Sequence, residues 1–404
     1  MINLDPALEQ EMIEWRHDLH RYPEFGFEEN RTSDFIADKL QGFGIEVVRN
    51  IGQTGLLGII KKGDGGRSIG LRADMDALQI QEQNSFDYRS CHDGLMHACG
   101  HDGHSTMLLG AAKQLAQHGN FDGTAYFIFQ PAEEHGKGAL SMIEDGLFDR
   151  YQIDSVYGLH NLPGLSEGQF AIRPGSIMAS ETEFEFRLYG RGGHAAMPFM
   201  GVDTMLLGSQ IVVALQSIVS RKLSALHEPA VVSVTEFITD GTTNVIPSRV
   251  ALKGDCRCFS DEALEKIRSA MEAIVSGLCI SAGAEYEFDF VTSFPSTINH
   301  PEETAHATRA AKDALGEDAV NGNCDPFTIS EDFANMLQQR PGCYALLGNG
   351  GGADGGCALH NPNYDFNDRI LTRGAAYWVQ LVENQLARML HEGNEDQGKY
   401  GKQG

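Results

Sequence analysis

The sequence predicts an α/β protein built on a mixed, largely parallel sheet, with a smaller two-layer α+β unit set inside it. Three observations lead there. A chain of 404 residues exceeds what one compact core ordinarily holds. Short apolar runs alternate with helical patterns between about Leu56 and His160, the order of a sheet joined by crossover helices. Near Glu181 the pattern changes to strict alternation, Glu183-Phe184-Glu185-Phe186-Arg187-Leu188, as in a sheet with one wet face.

The elements follow in order. Asp5 caps the first helix and Pro6 suits its first turn, after which Leu8, Met12, Trp15 and Leu19 recur at helical spacing. A second helix runs from about Glu28 to Leu40, stopped by Gly42 and Gly44. Strands are expected at Leu56–Ile60, Ile69–Ala73, Thr124–Gln130 and Ser155–His160, with helices at His104–Gln117 and Gly138–Asp145 between them. The alternating strand at Glu183 opens a β-α-β-β-α-β series. Its helices lie at about Asp203–Val219 and Asp261–Ser281, and its further strands near Val231–Phe237, Arg249–Cys256 and Glu285–Val291. From Ser293 the chain returns to helix and strand, ends in a helix around Leu371–Leu390, and trails a polar tail from Glu392 to Gly404 that reads as disordered. Residues 1–181 and 293–404 thus form the larger domain and 182–292 the insert.

Fifty-six acidic residues against 31 basic ones give a net charge of −25, which argues against nucleic acid or an anionic membrane as partner. No apolar run approaches the length of a membrane span, and the amino terminus lacks a basic-then-apolar leader. The eight cysteines are scattered along a large chain, the usage of a cytoplasmic protein with reduced thiols.

Four segments carry candidate chemistry. Met96-His97-Ala98-Cys99-Gly100-His101-Asp102-Gly103-His104 packs one thiol and three imidazoles around glycines, a dense set of metal donors on a chain that can turn sharply. The bland alternative is a loop with a buried thiol. A third reading makes Cys99 a nucleophile with His101 as base, although a cysteine nucleophile usually takes its histidine from far along the chain. Phe127-Ile128-Phe129-Gln130-Pro131-Ala132-Glu133-Glu134 delivers two adjacent carboxylates at the carboxyl end of an apolar strand, where open α/β sheets bind ligands. A solvated helix start explains such a pair equally well. Tyr157-Gly158-Leu159-His160 and Cys357-Ala358-Leu359-His360 each place a histidine after a short apolar run. One such histidine is ordinarily a satisfied loop residue; two beside the first pair of segments favour ligands.

Asp74 and Asp76 end the run Leu71-Arg72-Ala73-Asp74-Met75-Asp76 and either orient a metal-bound histidine or cap the next loop, and spacing does not choose. In the insert, His194 on the glycine-hinged segment 191–198, Asn244 in 241–247 and Arg257 after Gly254-Asp255-Cys256 supply in kind an oxyanion stabiliser, a second donor and a carboxylate clamp. Turn chemistry and surface charge are the plain alternatives.

At these residues the chain resembles the amidohydrolase branch of the aminoacylase and carboxypeptidase-type dinuclear metallopeptidases, which includes hippurate hydrolases, N-acyl-amino-acid amidohydrolases, N-acetyldiaminopimelate deacetylases and auxin-conjugate hydrolases. The resemblance runs from about Trp15 to Val382 through MHACGHDGH, FIFQPAEE, GLHN, GRGGHAAMP, NVIPSR, SEDF and LHNPNYDFND, in that order. It implies a zinc-peptidase-like catalytic domain with an inserted dimerisation or lid domain. It implies Cys99, His101, Glu134, His160 and His360 as ligands of two divalent ions, zinc or manganese, with cobalt and nickel also compatible. Glu133 becomes the general base, His194 steadies the tetrahedral intermediate, and Asn244 and Arg257 contact substrate across a dimer or closed cleft. The implied reaction is hydrolysis of N-acyl amino acids by a homodimer. A metallo-dipeptidase or carboxypeptidase acting on unblocked peptides is the alternative, and a non-catalytic binding protein a more distant one. The role of Glu331, in SEDF, stays open. Two positions depart from the pattern: His135 stands where relatives usually carry glycine, adding a donor near the metals, and Phe199 where many carry histidine.

Overall fold

The computed structural model describes residues 6–351 and 357–388. The Asp5 cap and the tail beyond Glu392 therefore lie outside the described residues. The larger sheet has eight strands, in spatial order Glu46–Arg49, Leu56–Lys62, Gly123–Gln130, Ser68–Asp74, Ser155–Pro163, Gly342–Gly350, Phe170–Ala171 and Val320–Asn321. The four central strands, from Gly123–Gln130 to Gly342–Gly350, run parallel, and the first two strands are antiparallel to their neighbours. Every residue of Ser68–Asp74 and of Gly342–Gly350 is buried. Such strands read as continuous apolar runs because helices cover both faces. One layer includes Pro6–Arg21, His101–His118 and Leu371–Gln385, whose Met12, Leu108, Leu109 and Trp378 share a core with Leu71, Phe127 and Phe129 of the sheet. The other face buries Leu57, Ile128, Met142, Val156, Phe333 and Tyr344 in a second cluster.

The alternating segment becomes the strand Glu181–Tyr189 of a four-stranded antiparallel sheet. Its spatial order is Ala230–Thr239, Arg249–Cys258, Glu181–Tyr189, Glu285–Phe294. The helices Thr204–Arg221 and Asp261–Ala282 pack against it around Phe184, Phe186, Leu188, Leu207, Ile211 and Ile267, a core separate from the other two. Both helix starts are capped: Asp203 accepts from the N–H groups of Met205 and Leu206, and Ser260 from that of Ala263. Thr204–Arg221 is long and apolar enough, by length and composition, to cross a membrane. Here Leu207, Ile211, Leu215 and Ile218 of one stripe are buried, while Leu206 and Val213 are exposed.

The last helix ends at Gln385, short of the expected Leu390. The Leu386 carbonyl accepts from Asp122 N–H (2.7 Å), a bond that turns the chain onto the sheet.

Candidate metal centre and active site

The parallel centre of the large sheet brings the chemistry to one edge. Ser68–Asp74, Gly123–Gln130 and Ser155–Pro163 run in one direction, so Asp74, the turn after Gln130, and His160 emerge together. The helix His101–His118 begins beside them. Gly100 permits this entry: its φ is 97°, and a Cβ there would stand 2.4 Å from Asn161 Oδ1 and 2.6 Å from the Tyr364 hydroxyl. The carboxylate pair leaves its strand through Pro131 and Ala132, an alanine held at φ 47°. Glu29 fixes that left-handed residue, accepting from Ala132 N–H (2.8 Å) and from the Thr54 hydroxyl (2.5 Å).

Six residues named from sequence converge there. Cys99 Sγ lies 3.4 Å from His160 Nε2, and Glu134 Oε1 lies 3.3 Å from His360 Nε2 and 4.0 Å from His101 Nε2. Three overlapping sets, Cys99/His101/His160, Cys99/Glu134/His360 and His101/Glu133/Glu134, each keep their donor atoms within 4.8 Å of one another. His101 Nε2 and Glu134 Oε1 are buried with no hydrogen-bond partner. His101 Nδ1 is engaged by the Asp76 carbonyl (2.9 Å) and carboxylate (3.1 Å), and His160 Nδ1 by the Asn161 carbonyl (2.6 Å). In each case the Nδ1 partner leaves Nε2 turned towards the other donors, the preparation of a metal-binding imidazole. Nitrogen, oxygen and sulfur donors with two orphaned buried atoms fit divalent metal ions.

The electrostatics agree. Burial, then Glu134, Glu133 and Asp74, push the Cys99 thiol well above its usual range. Burial lowers His101, but Asp74, Asp76 and Glu134 carry it to about 10. A cation among these groups would reverse both effects. Burial, together with His104, holds His160 neutral. Burial opposes ionisation of Glu134, yet His360 and His101 hold it below the usual carboxylate range. Burial, then Glu331 and Glu134, push Glu133 well above that range. Two adjacent carboxylates are thus driven apart, the condition for dividing ligand and base roles. The same negative field disfavours a free Cys99 thiolate as nucleophile.

The two acids left open by spacing now separate. Asp76 bonds both His101 and, at 3.1 Å, the Glu134 backbone N–H. Asp74 takes His104 Nδ1 (2.6 Å) and Arg72 (2.6 Å). His97, one of the three histidines of the first segment, is buried near His20 and belongs to no donor set among the described residues. Nor does His135, whose ring packs edge-on to Phe25, with centroids 4.4 Å apart.

Sequence reasoning missed Arg72, which is fully buried and donates to Gln130, Asp74, Glu331 and Asp332 at 2.6–3.1 Å. A charged residue inside an apolar parallel strand was the available signal. Glu331, bound by Arg72 and by Tyr344, lies within 4.8 Å of Glu133.

A cavity of about 480 Å³ opens over these groups, walled by Cys99, Glu133, Glu134, His160, His360 and Glu331 on the chemical side. Arg257 reaches it from the smaller sheet, paired with Glu181 (2.9 Å) and Asp255 (2.9 Å) and donating to Ser330 (3.2 Å). His194 and Asn244 do not line it. Their segments pair with each other instead: the Asn244 carbonyl accepts from Ala195 N–H (3.0 Å), and the short strand Gly193–His194 pairs with Val245–Ile246. His194, Asn244 and Phe199 are exposed.

An α/β sheet with such donors gathered in a cleft at its carboxyl edge is the construction of a metal-dependent hydrolase. Residues 70–384 match the model of Peptidase family M20/M25/M40, and the chain belongs to that family. A hippurate hydrolase of Campylobacter jejuni is 40% identical over 95% of this chain and 100% of its own. An N-acyl-L-amino acid amidohydrolase of Geobacillus stearothermophilus is 40% identical over 72% of this chain and 79% of its own. The crystal structure of a dinuclear metal-binding peptidase of this family from Bacillus subtilis, 31% identical, superposes with a TM-score of 0.82 over 95% of this chain and 99% of that one.

Proposed function

We propose that the protein hydrolyses the amide bond of N-acylated amino acids, releasing a carboxylic acid and a free amino acid. The observation that carries this reading is the convergence of a raised, buried Glu133 with Cys99, Glu134, His160 and His360 on one cavity that Arg257 also enters, with His101 directly behind Glu134. The names of the hippurate-cleaving and N-acyl-cleaving relatives support the substrate class.

In this reading Cys99, His101, Glu134, His160 and His360 hold two divalent ions, the number bound by the dinuclear relative. Zinc suits the thiolate and imidazoles, and manganese, cobalt and nickel are compatible with the set. When bound, the ions supply Lewis acidity and lower the pKa of a water towards neutrality. Glu133 takes a proton from the attacking water and returns it to the departing amine. Arg257 holds the substrate carboxylate, fixing which side of the amide is the amino acid. His194 and Asn244 act on the substrate from the smaller unit, residues 182–292. That unit would then serve as a lid or as the interface through which a second copy presents them. Exposed Leu206 and Val213 on its helix, with Phe237 and Ile238 on the edge strand Ala230–Thr239, support a homodimer. The eight unpaired cysteines support a reducing, cytoplasmic setting.

A metallo-dipeptidase or carboxypeptidase acting on unblocked peptides through the same centre is the alternative reading. Amino-acid release from N-acetyl and N-benzoyl amino acids and from free dipeptides, on zinc- and manganese-loaded protein, separates the two. Faster release from acylated substrates is expected; turnover of free dipeptides alone would replace this reading with the peptidase one.

A further inference from the structure

The carboxylate clamp assigned to Arg257 is already filled from within the chain. Buried and outward residues alternate along the strands Glu181–Tyr189 and Arg249–Cys258, and Cys256 stands opposite Thr182 with both side chains buried. One step further along, Arg257 and Glu181 therefore face each other across the outer side of the sheet. Asp255, two residues back on that side, takes the guanidinium Nε with both oxygens, at 2.9 and 3.1 Å, and so fixes the fork. Arg257 Nη1 then stands 2.9 Å from Glu181 Oε2. The Ser330 hydroxyl, on a segment outside the smaller sheet, donates to the same oxygen at 2.7 Å. A guanidinium nitrogen and a hydroxyl thus converge on one carboxylate oxygen at the wall of the catalytic cavity. A substrate carboxylate needs those two donors. It cannot share them with Glu181, because Asp255 already places a second negative charge on the same guanidinium.

The occupant is free to leave. The Arg257 and Glu181 side chains are 23% and 28% exposed, and ion pairs so open to water hold their partners weakly. A second cavity, of about 660 Å³, shares Glu181 and Arg257 with the first and is lined also by Lys253 and Thr235, so a displaced carboxylate meets both room and a cation. We infer that Glu181 is an internal competitor for the substrate's carboxylate: it fills the cradle of Arg257 and Ser330 in the free enzyme, turns towards Lys253 when substrate binds, and so raises KM for every substrate that uses the clamp. A compound without a carboxylate leaves Glu181 in place and is indifferent to it. This rests on the clamp role given to Arg257 in the N-acyl reading.

The test compares kcat and KM for N-benzoylglycine and for N-benzoylglycinamide, which lacks the carboxylate, on metal-loaded wild type, Glu181→Gln and Glu181→Asp, with Arg257→Gln as the control for the clamp. A partly exposed pair closes its site to a competitor by roughly two- to fivefold, and apparent affinity falls with the open fraction. Glu181→Gln is therefore expected to lower KM for N-benzoylglycine about two- to fivefold, with the change on KM rather than kcat and none on the amide substrate. Glu181→Asp keeps the charge but withdraws it by one methylene, and is expected to follow Glu181→Gln. Wild-type constants in Glu181→Asp beside a lowered KM in Glu181→Gln would reduce the effect to the field of the charge and overturn the inference. So would an equal shift on both substrates. Crystals of metal-loaded Glu133→Gln with N-benzoylglycine give a second readout: the substrate carboxylate is expected on Arg257 and Ser330 with Glu181 turned away, and Glu181 still seated on Arg257 overturns the inference. A KM that rises in Arg257→Gln but ignores every change at Glu181 brings down the inference alone. Indifference to Arg257→Gln removes the clamp and the inference together, and silence on both N-acyl substrates removes the functional reading as well.

Discussion

Glu133 and Glu134 are chain neighbours with opposite environments, and that contrast yields the sharpest prediction at the residue scale. Glu133→Gln should keep its metal content and lose about 10²–10⁴ in kcat, the usual worth of a positioned base. Glu134→Gln should lose metal, because it removes an oxygen that sits 3.3 Å from His360. Metal analysis beside kinetics checks both, and a fully active Glu133→Gln ends the base assignment. Behind the centre, burial lowers His20, but hydrogen bonds to Asp102 and Glu82 outweigh it and carry the imidazolium from 6.5 to about 9. A raised histidine contributes stability that is complete below the unfolded pKa and fades as pH rises through the folded one. His20→Gln should therefore cost up to about 3 kcal/mol near pH 6, at roughly 1.4 kcal/mol per pKa unit, and little above pH 9. Urea unfolding of the metal-free protein at both pH values measures it, and a pH-independent cost contradicts it. The residues that converge on the cavity were legible because each stands in a local pattern: a glycine-flanked thiol, a carboxylate pair at a strand end, a histidine after an apolar run. Their supports were not. Glu29 meets Ala132, and Arg72 meets Glu331, across more than a hundred residues of sequence, and no spacing rule reports such contacts.

At the scale of elements, parallel burial made the central strands readable, since Ser68–Asp74 and Gly123–Gln130 are nearly all apolar or small. The alternation of Glu181–Tyr189 made the smaller sheet readable, because one face meets its own helices and the other meets water. Phe170–Ala171 and Val320–Asn321 were not readable: two residues carry no period, and only their neighbours make them strands. Arg72 ties the strand Ser68–Asp74 to the segment from Ser330 to Phe333, one buried guanidinium against Asp74, Glu331 and Asp332. Arg72→Met should destabilise the fold by about 3–5 kcal/mol, because it strands buried carboxylates. Thermal unfolding against wild type checks this, and a neutral substitution would mean the cluster is wetter than its burial indicates.

At the scale of the whole molecule, two units with separate cores meet at the cavity, since Phe294 and Arg257 of the small sheet wall it beside Glu133 and His160 of the large one. His194 and Asn244 lie outside that cavity; under the proposed roles for them, full activity should need either closure or a second copy. If the proposed homodimer forms through the edge strand Ala230–Thr239 and its neighbouring helix, wild type should sediment as a dimer, and Val213→Asp with Phe237→Asp should shift it to monomer and depress kcat with it; a monomeric, fully active wild type contradicts that proposal. A dimer untouched by both changes would place the interface elsewhere. The central claim is metal-dependent cleavage of N-acyl amino acids at the cluster of Cys99, His101, Glu134, His160 and His360. Its most direct test is N-benzoylglycine hydrolysis by chelator-stripped protein titrated with zinc or manganese. The account predicts no activity without metal and recovery that saturates near two ions per chain in wild type but not in His101→Ala. Activity that survives stripping, or that returns equally in His101→Ala, would contradict it.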